Sequence, residues 1–324
     1  MNAEVFAEWL RRQGQQVIRT ASTYWHSDGL RVYQAFPYHS LIQPSEEELA
    51  EMFFAHGAIV LRYSAPAESA IGLMSYHAVH DHPSYDLNSL GPWARKNVRR
   101  GLKNCVVEPI SVQRFVEEGR ALRSDTLNRQ GRRFRMSRET WKRRYSIVAE
   151  LQGFEVWAAL VQGKLGAFLL TFQMEEVCYF LYQQCHRDYL REHVNNALTF
   201  VVTQTMIRRS GIRCIFYGTH SLDAPASVDE FKFRMGYRAK PIRQRVIFHP
   251  YLAPFVNRTS YGLLKRMAAW VPASRHLSKA EGMLRFYLDG SSSKPSKTEG
   301  MPRLNLSAAN SAEPPQTELA TERK

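Results

Sequence analysis

In RVYQAFPY, residues 31–38, apolar and polar side chains alternate, and a period of two predicts a strand. AIVLRYS (58–64) and AIGLMSYHAV (70–79) read as two more. Further along, CVVEPI (105–110), FEVWAALV (154–161), LGAFLLTF (165–172), EVCYFLYQQC (176–185), RCIFYG (213–218) and PIRQRVIFHP (241–250) are short apolar runs bounded by turn residues. QGK, with Gly163, supplies a hairpin turn between the second and third of these.

Between the strands the period changes to that of a helix. MNAEVFAEWLRRQGQQVI opens the chain as an amphipathic helix, without the small-residue cleavage site of a secretory signal. Ser45 with Glu48 is a capping box for EEELAEMFFAHG, which Gly57 ends. WARKNVRRGLKN (93–104) is a basic helix. Ser111 caps a helix running to about residue 128, Ser137 caps RETWKRRYSIVAEL, and Ser227 caps SVDEFKFRM. NNALTFVVTQTMIRRSG (195–211) places Ala197, Phe200, Val201 and Gln204 on one face, and Gly211 stops it. YGLLKRMAAWV and KAEGMLRFYL, decorated by Lys265, Arg266, Arg275 and Lys279, predict two C-terminal helices that pack on the domain or lie on a membrane surface. From residue 290 onward Ser, Pro, Thr and Glu dominate, too little apolar surface to order the tail.

Charge changes the picture more than composition does. The chain has 324 residues and a net charge of +14, and residues 95–144 hold sixteen Lys and Arg against five Asp and Glu. Such a zone suits an anionic partner: a nucleotide-like donor, RNA or an anionic membrane. Its plain counterpart is a solvated helical face. The four cysteines (Cys105, Cys178, Cys185, Cys214) form no C-x-x-C pair and read as reduced thiols of a cytoplasmic protein. No apolar run approaches the roughly 18 residues of a membrane span. G-x-S-x-G, P-loop and G-x-G-x-x-G patterns are absent, so a covalent serine mechanism and the common nucleotide cradles are not indicated. HAVHDH gathers His77, His80, Asp81 and His82, read as a polar loop at an acceptor cleft in preference to a metal set.

The element order β-α-α-β-β-β-α-β-α-β over residues 105–249, with YDLNSLGPWARKNVRRGLKNCVVEPI before it and FYGTHSLDAPASVDEFKFRMGYR near its end, resembles the GNAT acyltransferase superfamily. The narrower resemblance is to the FemAB-like and BioF2-like branch, in which two such units follow each other. It spans roughly residues 57–249 and rests on order and spacing. It implies an α/β fold with a mixed sheet: a partly degenerate first lobe (1–104), a complete second lobe (105–250), a helical segment (251–289) and a disordered tail (290–324).

Within VDEFKFRMGYR, Val228, Phe231 and Met235 share a helix face, Gly236 can take the left-handed conformation that ends the helix, and Lys232 falls between the buried positions. In the family this lysine lies near the reacting carbonyl, so the resemblance assigns Lys232 to stabilising negative charge there. YGTHSLD offers His220 as a base, Tyr217 or Tyr182 as an acid, and Asp223 beside them. A backbone N–H near Tyr182–Gln184 is expected to hold the oxyanion. The resemblance places the donor's phosphates over HRDYLREHVNNALTF, with Gln184, Arg187, Arg191, Asn195 and Asn196 as the binding set, although this stretch lacks the family's glycines.

The implied activity is transfer of an acyl group from acyl-CoA, such as acetyl-CoA, to an amine of a cell-envelope, polysaccharide or lipid precursor, without a metal. The alternatives are an aminoacyl-tRNA-dependent aminoacyl transferase, and a non-catalytic protein that binds RNA or anionic lipid. The expected location is cytoplasmic, with peripheral contact at the inner membrane face as an extension.

Overall fold

Residues 2–131, 134–220, 226–270 and 275–290 are described by the computed structural model. The expected tail (291–324) and Asp223 lie outside these residues.

Helix α1 (Ala3–Arg12) buries Phe6, Ala7, Trp9 and Leu10 and turns its Glu and Arg residues outward, where Arg12 Nε bonds Glu8 at 2.8 Å one turn away. Three short strands follow: β1 (Val17–Arg19), β2 (Tyr24–Ser27) and β3 (Val32–Phe36). Ser45 accepts the Glu48 N–H and starts α2 (Glu46–Ala50), which widens into a π-helical turn over Glu51–Ala55. Gly57, with φ +65°, closes it. Then come β4 (Val60–Ala65), β5 (Leu73–His80) and α3 (Pro92–Asn104).

The second half adds β6 (Val106–Ile110), α4 (Val112–Arg129), α5 (Arg138–Ser146), β7 (Phe154–Val161), β8 (Lys164–Met174), β9 (Val177–Cys185), α6 (Val194–Ile207), β10 (Cys214–Thr219), α7 (Ala226–Arg234) and β11 (Arg238–Phe248). Ser111 and Ser137 cap α4 and α5 by accepting the Arg114 and Thr140 N–H groups. Ser227 lies within α7 instead of before it. The β7–β8 turn runs through Gln162 and Gly163, both at positive φ (50° and 76°), the geometry that matches strand twist in a two-residue hairpin. Helices α8 (Arg258–Trp270) and α9 (Arg275–Gly290) end the described chain.

Among the described residues, eleven strands make one mixed sheet in the order β1-β2-β3-β4-β11-β5-β10-β9-β8-β7-β6. Its parallel pairs are β3–β4 and β9–β10. Strand β5, from the first 104 residues, is inserted between β10 and β11, and β11 in turn pairs with β4. Neither half of the chain completes the sheet without the other. Alternate residues of β7 and β8 feed opposite cores. Trp157, Ala159, Ala167 and Leu169 face α3, α6 and α7, whereas Val156, Ala158, Phe168 and Leu170 face α1, α4 and α5. Helix α9 packs on β5 and β11 through the buried Phe286. No helix among the described residues is long and apolar enough to cross a membrane.

HAVHDH is not a loop over its first half. His77 and His80 belong to β5 and are buried, His77 bonding Ser64 at 3.0 Å and His80 lying edge-on to Tyr85. His82 folds into a local turn with Ser84. The four cysteines are free thiols, and Cys214 alone of them is not fully buried.

Candidate active site

Parallel strands β9 and β10 stay paired only from Val177–Cys214 to Tyr179–Phe216, and then they part. Each carries a bulge at that point. Leu181 is extra in β9, since Phe180 pairs with Thr171 and Tyr182 with Leu170. Tyr217 is extra in β10, since Phe216 pairs with Val79 and Gly218 with Ala78. A bulge turns a strand and frees a residue from the ladder, which is how a sheet opens without losing its pairing on either side.

The opening leads to a cavity of about 290 Å³. Its walls are Tyr179, Phe180 and Leu181 on one side and Phe216, Tyr217, Gly218 and Thr219 on the other. Asp28, Gln34, Tyr38 and Arg62 come from the first part of the sheet, and Lys279 and Met283 from α9. The lining is thus largely apolar, with two cations and one carboxylate at its edge. Lys279 and Asp28 are joined at 2.6 Å. Arg62 donates Nε and Nη2 to Gln244 Oε1, and Gln244 Nε2 donates to Ser75 Oγ and the His220 carbonyl, so a buried amide fixes the arginine's plane.

Behind β10 lies a second polar group. Lys232 of α7 is 8 % exposed; its Nζ donates to Asp229 Oδ1 at 2.7 Å and lies 5.6 Å from the centre of the Tyr217 ring. Tyr76 donates its hydroxyl to the other Asp229 oxygen at 2.8 Å. Gly218 has φ +132°, a conformation natural to glycine, and a Cβ there would sit 4.0 Å from Lys232 Nζ. The ammonium therefore lies directly behind β10 at Gly218, while Lys232 itself does not line the cavity.

Tyr217 donates to Gln183 Oε1, and Gln183 Nε2 donates to Thr199 Oγ1 of α6 at 3.0 Å. Burial pushes the Tyr217 hydroxyl well above its ordinary range, so at neutral pH it is a donor and not a base. His220 is held below the usual imidazole range, chiefly by burial, and stacks on Tyr76 with ring centroids 4.8 Å apart. It does not line the cavity. Tyr182 is also elsewhere: it sits on the α1–α5 side, near Trp9 and Tyr145, with the Arg123 guanidinium 5.0 Å over its ring. Of the four residues singled out for chemistry, the fold brings Tyr217 and Lys232 together, leaves His220 one layer behind, and sends Tyr182 to the other face. Arg62, Asp28, Gln34, Tyr38 and Lys279 carry no motif that marks them in the sequence; only Lys279 drew notice there, as a helix decoration.

The five residues expected to hold a donor's phosphates do not converge. Arg187 is tied through its guanidinium and its backbone N–H to Asp125 of α4. Gln184 is buried, its Oε1 without a hydrogen-bond partner among the described residues. Asn195 Oδ1 accepts from Gln183, and the buried Asn196 points its amide at Met235 Sδ. Arg191 lies in the exposed 3₁₀ turn Arg187–Glu192.

The start of α6 is itself covered. Gly101 of α3 fits so closely that a Cβ would come within 2.6 Å of the His193 carbonyl, and Asn104 donates to Glu192 at 2.6 Å. Tyr85 spans the space between α6 and the end of α7, its carbonyl accepting from Gln204 and its hydroxyl donating to the Met235 carbonyl. A coenzyme A pyrophosphate would use backbone N–H groups at a helix start; at this one Val194, Asn196 and Ala197 are buried. On α3, by contrast, Arg95, Lys96, Arg99, Arg100 and Lys103 line a surface hollow of about 430 Å³.

No family model and no curated protein sequence matches the chain. Solved structures do. FemX aligns at TM-score 0.52 and 11 % identity, covering 77 % of this chain and 92 % of FemX. The C-terminal domain (DUF2156) of a putative lysylphosphatidylglycerol synthetase from Agrobacterium fabrum aligns at TM-score 0.50 and 14 % identity, covering 75 % of this chain and 87 % of that domain. A GCN5-related N-acetyltransferase from Kribbella flavida aligns at TM-score 0.46 and 11 % identity, over 76 % and 94 % of the two chains. The fold is like that of FemX and of the DUF2156 domain, in keeping with the FemAB-like resemblance that the element order suggested.

Proposed function

We propose that the chain is a transferase that moves an aminoacyl or acyl group onto an amine, with the exchange taking place in the gap between β9 and β10. The observation that supports this reading is the gap itself: two facing bulges, a cavity behind them, and a buried ammonium against the backbone of Gly218 in its wall. The amine nitrogen attacks the carbonyl carbon, the new C–N bond forms, the carbonyl's bond to the donor oxygen or sulfur breaks, and the departing atom takes up the proton that nitrogen loses. Lys232 stabilises the negative charge that gathers on the carbonyl oxygen, and the bulged backbone at Leu181 offers an N–H to the same atom. Tyr217 and Gln183 hold the far side of the gap in register, so positioning supplies much of the rate.

The donor we favour is an aminoacyl-tRNA. The covered start of α6 argues against a coenzyme A pyrophosphate, and the cationic face of α3 suits a polyanion. The likeness to FemX and to a lysylphosphatidylglycerol synthetase domain is in keeping with an aminoacyl donor. A coenzyme A thioester is the second reading, favoured by the apolar lining of Val32, Phe180, Leu181, Phe216 and Met283, which would accept an acyl chain. The acceptor is an amine on a glycan, a lipid or a small envelope precursor.

Filter binding of charged and uncharged tRNA, beside calorimetric titration with acetyl-CoA and a longer acyl-CoA, separates the two donors. We expect retention of charged tRNA that weakens steeply with salt, and no heat from either thioester. Micromolar thioester binding without RNA binding would reverse the choice of donor.

A further inference from the structure

Among the described residues, helix α8 is held to α9 along one face. Tyr261 donates to Glu281 at 2.8 Å and Arg258 to Asp289 at 2.9 Å. Along another face, Leu263, Met267 and Trp270 follow one another at helical spacing, and Leu263 is 62 % and Trp270 86 % exposed. The segment leading into the helix exposes Tyr251 and Phe255, at 74 % and 72 %. Scattered apolar side chains on a surface are ordinary; a helical stripe with an aromatic approach to it is not.

The charge carried by this segment is of one sign. Residues 249–270 contain Arg258, Lys265 and Arg266 and no Asp or Glu, and Lys265 and Arg266 are exposed. We infer that this face docks on the surface of an anionic lipid bilayer. Leu263, Met267 and Trp270 enter the boundary between headgroups and acyl chains, Trp270 with its ring at the interface, while Arg266, which flanks the stripe by helical spacing, extends its stem along the apolar surface to reach a lipid phosphate. A second copy of the chain is a poorer occupant. Joining two such faces would bring like charges together with no carboxylate in the segment to offset them. The docked helix packs on α9, whose Lys279 and Met283 line the transfer cavity, so the bilayer would lie beside the wall of the candidate site.

The test is flotation of the full chain with vesicles of phosphatidylcholine alone and of phosphatidylcholine with phosphatidylglycerol, at low and high salt. It uses neither donor nor acceptor, so its outcome is separate from that of the transfer reading. Binding to the anionic vesicles alone, weakened by salt, is expected. Arg266→Glu should weaken it about tenfold or more, since each basic residue near the surface counts and the change reverses one. Leu263→Ser with Trp270→Ser should weaken it similarly without changing the Tm. Absence of binding to anionic vesicles, or binding that neither variant alters, would overturn the inference. So would loss of self-association in the Leu263→Ser and Trp270→Ser variant of a protein that ignores vesicles, which would assign the face to a second copy.

Discussion

Lys232 Nζ and Asp229 Oδ1 lie 2.7 Å apart on one turn of α7, with side chains only 10 % and 11 % exposed. A buried pair is not strongly stabilising in itself, but removing one partner strands the other away from water, at a cost of about 3–5 kcal/mol. Lys232→Met should therefore lower the urea midpoint sharply, because among the described residues Asp229 keeps only Tyr76 as a side-chain donor. Adding Asp229→Asn should recover much of the stability and none of the transfer. Paired urea melts with a single-turnover assay check both halves.

Gly101 sets how closely α3 crosses the start of α6. Gly101→Ala would place a methyl 2.6 Å from the His193 carbonyl and 2.9 Å from the Ala197 Cβ, where neither backbone nor packed methyl can yield cheaply. A loss of about 1–3 kcal/mol is expected, as for other overpacked contacts. A thermal melt of the variant checks it. An unchanged Tm would mean that the helix start is less closed than the geometry implies.

Two buried histidines give the stability a defined response to acid. Burial lowers His26 to about 4 and His77 to about 3, the latter helped by His39, Lys240 and Arg62 nearby. Both stay neutral in the folded chain while the unfolded chain takes up protons below about 6.5. The unfolded state then binds more protons, so stability is level above that pH and falls as pH drops toward 4, by up to about 1.4 kcal/mol per pH unit for each histidine. Urea melts at neutral pH and stepwise down to 5 measure the slope, and His77→Gln should reduce it.

Arg62 and Lys279 line the same cavity but should respond differently to substitution. Arg62→Ala leaves the oxygen of Gln244, a residue 1 % exposed, without its donor, which costs about 1–3 kcal/mol. Lys279→Ala breaks a partly exposed pair with Asp28, worth about 0–1 kcal/mol. The first variant should lose stability as well as substrate binding, the second binding alone. Comparing Tm with transfer rates for both separates the roles.

Much of the fold was legible because its strands are unbroken apolar runs and its helices carry side-chain caps at Ser45, Ser111 and Ser137. Strands β1 and β2 were not. QQVIRTASTYWHSD is short and polar, and it pairs only with itself and with β3 at the sheet's edge. The placing of β5 between β10 and β11 could not be read, since it depends on which of several equally apolar strands meet across the chain. Lys232 drew notice through the family resemblance of its FK and Gly stretch. Asp229 was not, since an Asp and a Lys three apart on a helix read as a surface pair until Tyr76 closes over them. The cavity draws on the turn before β3, on β3, β4, β9, β10 and α9, and nothing local to Arg62 or Asp28 announces that meeting.

The most direct test is a crystal structure of the full chain with a minihelix RNA carrying an amide-linked amino acid at its 3′ end, a donor that cannot turn over. The account predicts the amino acid's carbonyl between Leu181 and Tyr217, with its oxygen toward Lys232 and the RNA backbone along the basic face of α3. An aminoacyl group bound outside the gap would contradict it.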